Sequence, residues 1–219
     1  MSAIAGEPIC PHTFGMHITQ VNFGKPGVAG AVDNWHFDSV DYVLVIILSD
    51  IEDMVGGKLE ILEKVSGGPE AILKHAEEGV PEENVKQQTY AHAGYGILAQ
   101  GSKILHRVTP VLEAKEDRIS FIVSFARTDM FGEDNTRTFK IYNDPWDVVS
   151  WEMARHTAWR QSGILKYLIE ESDPNEMKAE DFAVMLDKAA ERLRRAARII
   201  RDEEDDRVGY VPVNDKDSS

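Results

Sequence analysis

His36 and Asp38 stand two residues apart in Trp35-His36-Phe37-Asp38. On a strand that spacing sends both side chains to one face and Trp35 and Phe37 to the other. An imidazole nitrogen beside a carboxylate oxygen supplies two donors of a 2-His-1-carboxylate set. Such a set leaves positions open on a metal such as Fe(II) for oxygen chemistry. His-x-Asp alone is common by chance, so a third donor has to be found. His106 lies within the apolar run Ile104-Leu105-His106-Arg107-Val108. An isolated histidine there would ordinarily be a core residue bonded to a backbone carbonyl. Arg118 and Ser120 change that balance, because they again share one strand face. A guanidinium beside a hydroxyl makes a fork for a carboxylate. Polar groups turned inward from apolar strands are costly unless they bind something. His36, Asp38 and His106 are therefore the expected catalytic metal ligands.

The elements that must position these groups read as short strands. Candidate runs are Phe14–Phe23, Ala31–Phe37, Tyr42–Leu48, Lys58–Glu63, Gln87–Ala91, Gly96–Gln100, Lys103–Val108 and Arg118–Phe125. Gly56-Gly57 and Gly67-Gly68 mark turns between them, and Pro69–Gly79 is a short helix or an ordered excursion. About eight strands with turn punctuation predict a sandwich or jelly roll, mainly β with some α. After Asn143 the pattern becomes helical. One helix is expected from Pro145 through Trp151, Ala154 and Ala158, broken at Ser172-Asp173-Pro174. A second carries Phe182, Met185, Leu186, Ala189, Leu193, Ala196, Ala197 and Ile200 at steps of three and four. That stripe is expected to cover an outer sheet face; a homodimer seam is the alternative. The expected partition is a core over 14–143, C-terminal helices of the same domain over 144–206, and a flexible tail over 207–219.

Bulk properties exclude some partners. A net charge of −14 repels nucleic acid. The basic cluster Arg192 to Arg201 runs straight into Asp202-Glu203-Glu204-Asp205-Asp206, as a solvated helix with an acidic end would. No apolar run approaches the roughly 18 residues of a membrane helix, and the N-terminus lacks a secretory pattern. A single cysteine, Cys10, fits a reducing, cytoplasmic setting. It reads as a small filler or an exposed thiol.

Taken in order, His36-x-Asp38, Gly56-Gly57-Lys58-Leu59, His106-x-Val108-x-Pro110-Val111 and Arg118-x-Ser120 resemble the Fe(II)- and 2-oxoglutarate-dependent dioxygenases. The resemblance covers roughly Gly15 to Arg127. It implies a double-stranded β-helix (jelly roll) core, followed here by C-terminal helices packing on it. It further implies that 2-oxoglutarate chelates the iron, with its far carboxylate on Arg118 and a hydrogen bond from Ser120. O2 would take the remaining position, and the cosubstrate would leave as succinate and CO2 as a C–H bond is oxidised. Lys115 and Arg107 are rival anchors, expected at a strand end or on the outward face. Related halogenases replace the carboxylate ligand with a small residue, so Asp38 favours hydroxylation. Tyr42 is expected either to hydrogen-bond the cosubstrate or simply to begin the central strand. Gln20 and Asn22 are expected either to meet a small-molecule substrate or to form an exposed strand face. His12, His17, His75, His92 and His156 read as surface or packing residues, and Trp146, Trp151 and Trp159 as packing against the barrel. Many members carry helices ahead of the core. Here that support is expected from the C-terminal half, or from an N-terminal part of relatives absent in this sequence. Two other readings are a cupin-like metal oxygenase without 2-oxoglutarate and a non-catalytic jelly-roll binding module.

Overall fold

The run Tyr42–Ile47 is rich in β-branched residues, which suit a pleated, buried surface, and it forms a strand paired on both sides. The computed structural model describes residues 1–63, 72, 80, 82–136, 144–201 and 203. Within it the chain divides into two compact units, one of Met1–Ile18 with Ala126–Tyr210 and one of Thr19–Phe125. The architecture is mainly β-sheet with two C-terminal helices.

The strands are β1 (Ile9–Pro11), β2 (Thr19–Gly24), β3 (Asp33–His36), β4 (Tyr42–Ile47), β5 (Val55–Gly56), β6 (Leu59–Leu62), β7 (Val85–Gln88), β8 (Gly96–Ala99), β9 (His106–Val108), β10 (Val111–Glu113) and β11 (Arg118–Arg127). In the unit of Thr19–Phe125, one antiparallel sheet runs β2-β11-β4-β8 and another β3-β9-β6-β7, with a small β5–β10 ribbon. Opposed residues in antiparallel strands share a face. The row Asn22, Ser120, Ile47 and the row Gln20, Ile122, Val45, Ile97 therefore face one way. In the other sheet, Leu59 with Val108 and Ile61 with His106 face together. Ile47, Leu59 and Tyr90 form a buried cluster, with Val45, Ile51, Ile61, Ile97 and Val108 packed on it. These two faces thus meet as the core of the unit. Each fully buried aliphatic side chain there contributes about 1.5–3 kcal/mol.

Three departures from the expected strands matter for the site. Strand β3 stops at His36, with a register irregularity against β9, so Asp38 lies beyond the strand. Strand β9 begins only at His106, after a turn at Gly101–Lys103. The short strands β1, β5 and β10 carry too few residues to show a period. The expected excursion at Pro69–Gly79 lies outside the described residues apart from Ile72, as does the tail from Arg207.

In the other unit, a single turn, α1 (Ser2–Ala5), precedes β1, and α2 (Trp146–Glu170) and α3 (Ala179–Ile200) pack against each other. Pro145 caps the start of α2, and the helix ends just ahead of Ser172-Asp173-Pro174. Its buried face is Val149, Met153, His156, Arg160, Ile164 and Leu168. The expected Trp151 face is instead solvent-facing, with Trp151 54% exposed and the Arg155 guanidinium 4.9 Å from its ring. The apolar period misses the true face because three of its neighbours, His156, Arg160 and Gln161, are buried polar residues. His12 and Thr136 bond at 3.1 Å, and His156 meets Thr13 at 2.7 Å, Thr136 at 3.0 Å and Asp134 at 3.2 Å. Arg160 stands 3.5 Å from the Asp134 carboxylate and donates to the Gly132 carbonyl. No described helix is long and apolar enough to cross a membrane.

Candidate metal centre

His36 and His106 are register partners across β3 and β9, so both rings project from one face, with centroids 4.3 Å apart. The Nδ1 of His36 lies 2.6 Å from the Asn34 carbonyl, and that of His106 lies 2.8 Å from the Ile104 carbonyl. A carbonyl only accepts, so each Nδ1 carries the proton and each Nε2 presents a lone pair when the ring is neutral. Both Nε2 atoms point toward Asp38, at 3.5 Å from Oδ1 for His36 and 3.7 Å from Oδ2 for His106. One donor atom from each of the three residues lies within 4.8 Å of the others. Donors about 2.1 Å from a shared cation stand roughly 3 Å or slightly more apart. The donor set and the locked tautomers therefore fit a divalent metal, with backbone carbonyls orienting the ligands.

Asp38 is placed by the loop after β3. Its N–H donates to the Gly101 carbonyl at 2.9 Å. A Cβ on Gly101 would overlap the Asp38 carboxylate, so this close approach requires glycine. Sequence reasoning missed Gly101, whose only local signal was a turn.

Arg118 and Ser120 project from β11 into the core between the sheets. Arg118 is 1% exposed, Nε donates to the Gly57 carbonyl at 2.9 Å, and Nη1 donates to Ser120 Oγ at 3.1 Å. Gly56 and Gly57 both have positive φ, which lets the chain bring that carbonyl to the guanidinium. The Arg118 Cζ lies 5.7 Å from the Tyr90 ring centroid. The Tyr90 hydroxyl and the Arg118 guanidinium interact electrostatically. Burial lowers the Arg118 pKa from its ordinary value, with Tyr90 opposing, and burial raises that of Tyr90. Among the described residues no carboxylate pairs with Arg118. The rival anchors are engaged elsewhere, Arg107 with Glu60 at 2.6 Å and Lys115 with Asp53 at 3.0 Å. Tyr90 was not identified from sequence, since it lies two residues past the end of β7 with no partner motif.

The remaining candidates divide. Asn22 and Gln20 lie on the same sheet face as Ser120 and Ile122 and bond to each other at 3.2 Å; Gln20 is exposed and Asn22 half-buried. Tyr42 is not brought to Arg118. It opposes Phe125, on the sheet face away from Ser120, and accepts a hydrogen bond from Gln100 at 2.5 Å. A strand's alternation fixes this, because Tyr42 differs in parity from Val43, Val45 and Ile47. It begins the central strand. His12 and His156 belong to the buried network of the helical unit, His92 is exposed, and His75 lies outside the described residues.

No family model matches the chain, and no curated protein matches it at a significant level. Among solved structures, it is similar to a bsmA homolog from Methylobium petroleophilum PM1, at 18% identity and TM-score 0.30 over 48% of this chain and 36% of that one. It is similar to EvdMO1 at 15% identity and TM-score 0.38 over 58% of this chain and 29% of that one. A prolyl 4-hydroxylase from Phytophthora capsici aligns at 13% identity and TM-score 0.33 over 86% of this chain and 60% of that one. The chain thus spans between 29% and 60% of the length of these structures. Likeness at this level assigns neither fold nor activity, and the site stands on its own geometry.

Proposed function

We propose that this protein is a non-haem Fe(II)- and 2-oxoglutarate-dependent oxygenase that oxidises, by hydroxylation, a C–H bond of a small molecule. The observation that carries the proposal is a buried Arg118 with no carboxylate partner among the described residues, in the same core as the His36, Asp38, His106 donor set. A buried cation of that kind calls for an anion, which a bound carboxylate can supply. A dicarboxylate cosubstrate has one end suited to a metal and one suited to Arg118. In this reading His36, Asp38 and His106 hold the ion, and Arg118, with Ser120 beside it, holds the far carboxylate. Tyr90 shields the guanidinium from water, and Gln20 and Asn22 meet substrate. When bound, Fe(II) supplies O2-dependent oxidation of C–H to C–OH, balanced by conversion of 2-oxoglutarate to succinate and CO2. The proposal includes a jelly-roll core. Its support is the pairing order β2-β11-β4-β8 beside β3-β9-β6-β7, in which first and last strands meet as in interleaved Greek keys. A cytoplasmic setting is also proposed, supported by the lone half-buried Cys10 thiol.

The test is succinate formation from 2-oxoglutarate in the presence of Fe(II) and O2, across a panel of small-molecule substrates. The expected result is turnover in the wild type and none in His106→Ala. Equal turnover in the variant would contradict the assignment.

A further inference from the structure

Helix α3 carries two apolar faces, and α2 covers only one. Ala189, Ala196 and Ile199 are buried. Leu186, Leu193 and Ile200, spaced by seven, are 41%, 38% and 46% exposed. Ala183, Ala190 and Ala197 fall between them at the other apolar position of the same heptad. Heptads of this kind form the seam of a coiled coil. The residues that flank the seam, again spaced by seven, are Glu180, Asp187, Arg194 and Arg201, acidic in the first half and basic in the second.

We propose that this face pairs with α3 of a second copy of the chain, antiparallel about a two-fold axis. Two features of the sequence select that arrangement. Antiparallel pairing sets Leu186 against Ala197, Ala190 against Leu193 and Ala183 against Ile200 of the second copy. Each large side chain then meets a small one, as interdigitating layers require. The same register places Asp187 beside Arg194 and Glu180 beside Arg201 of the second copy, and the symmetry repeats each contact. Parallel pairing would stack leucine on leucine and alanine on alanine, and would leave the flanking charges without opposites. The contact of Arg194 with Glu191 at 3.6 Å is solvent-exposed, and an exposed pair of this kind is weak. It does not hold the guanidinium from a second carboxylate. The inference does not depend on the oxygenase reading.

The test is sedimentation velocity of the full chain over a range of concentrations, with circular dichroism to verify folding. A dimer is expected for the wild type, and Leu193→Glu should raise its dissociation constant by about 100-fold or more, since two leucines leave the seam. Asp187→Arg or Arg194→Asp alone should weaken the dimer, and the two together should restore it. A wild type that stays monomeric overturns the proposal, whether a segment of the same chain or nothing at all covers the face. A dimer indifferent to Leu193→Glu overturns the surface, and one indifferent to the charge changes overturns the antiparallel register.

Discussion

A neutral imidazole that donates Nδ1–H to a backbone carbonyl can meet an ion only through Nε2, and both His36 and His106 are held that way. Asp38 completes the set by a different route, since its strand has already ended and its place depends on Gly101. Gly101→Ala tests this. The methyl group would occupy the space of the Asp38 carboxylate, so Fe(II) affinity should fall about 10- to 100-fold while far-UV circular dichroism stays native. Unchanged affinity would show that Asp38 is not confined there. The spacing of His36 and Asp38 and of Arg118 and Ser120 makes legible which residues come together: the first pair lies with His106, and the second pair is hydrogen-bonded. Tyr42 shows the limit. Whether it faces Arg118 depends on the pairing register of β4 with β11, and a slip of one residue inverts every side chain.

Helix α2 shows how an element can hide its own buried face. Hydrophobic periodicity pointed to Trp151, Ala154 and Ala158, whereas burial follows Val149, Met153, His156, Arg160 and Ile164. His156 is tolerated because Thr13, Thr136 and Asp134 bond its ring, and Arg160 because it donates to the Asp129 and Gly132 carbonyls beside the Asp134 carboxylate, all of them distant in sequence. The apolar stripe of helix α3 divides into a buried part at Ala189, Ala196 and Ile199 and an exposed part at Leu186, Leu193 and Ile200. The network in the helical unit makes its stability pH-dependent. Burial first, then the nearby His156 and His17, lower the His12 pKa to about 3. Burial alone would raise the Asp134 pKa, but its hydrogen bond to His156 and the charges of His156 and Arg160 hold it below the usual carboxylate range. The folded state keeps His12 neutral, and the unfolded state takes up a proton below about pH 6.5. The His12 contribution is therefore fully present above pH 6.5 and is lost as pH falls from there toward 3. Between pH 6.5 and 5 the loss is about 2 kcal/mol. Asp134 adds a further loss at more acid pH. Denaturant melts at a series of pH values should show this decline, and His12→Gln should flatten it between pH 6.5 and 5. A decline of the same slope in the variant would assign it to other groups.

Across the whole molecule, the division into a strand-rich part and a helical part was legible from the change in period after Asn143, but the limits of the compact units were not. The unit of Thr19–Phe125 is built by pairings between distant segments, such as β2 with β11 and β3 with β9. The other draws Met1–Ile18 together with Ala126–Tyr210. Pairings that distant leave no local trace in a sequence. They also bring together Arg118 and Ser120 from β11, a carbonyl from Gly57 and a ring from Tyr90. In the proposed function, Arg118 with Ser120 and the metal donors serve one bound cosubstrate. The most direct test is an anaerobic titration of the chain with Fe(II) and then 2-oxoglutarate, followed by the visible metal-to-ligand charge-transfer band. A saturable band is expected in the wild type and none in His106→Ala. In Arg118→Met the half-saturating 2-oxoglutarate concentration should rise about 10- to 150-fold, the value of one or more charge-assisted hydrogen bonds. No band in the wild type, or an unchanged titration in Arg118→Met, would contradict it.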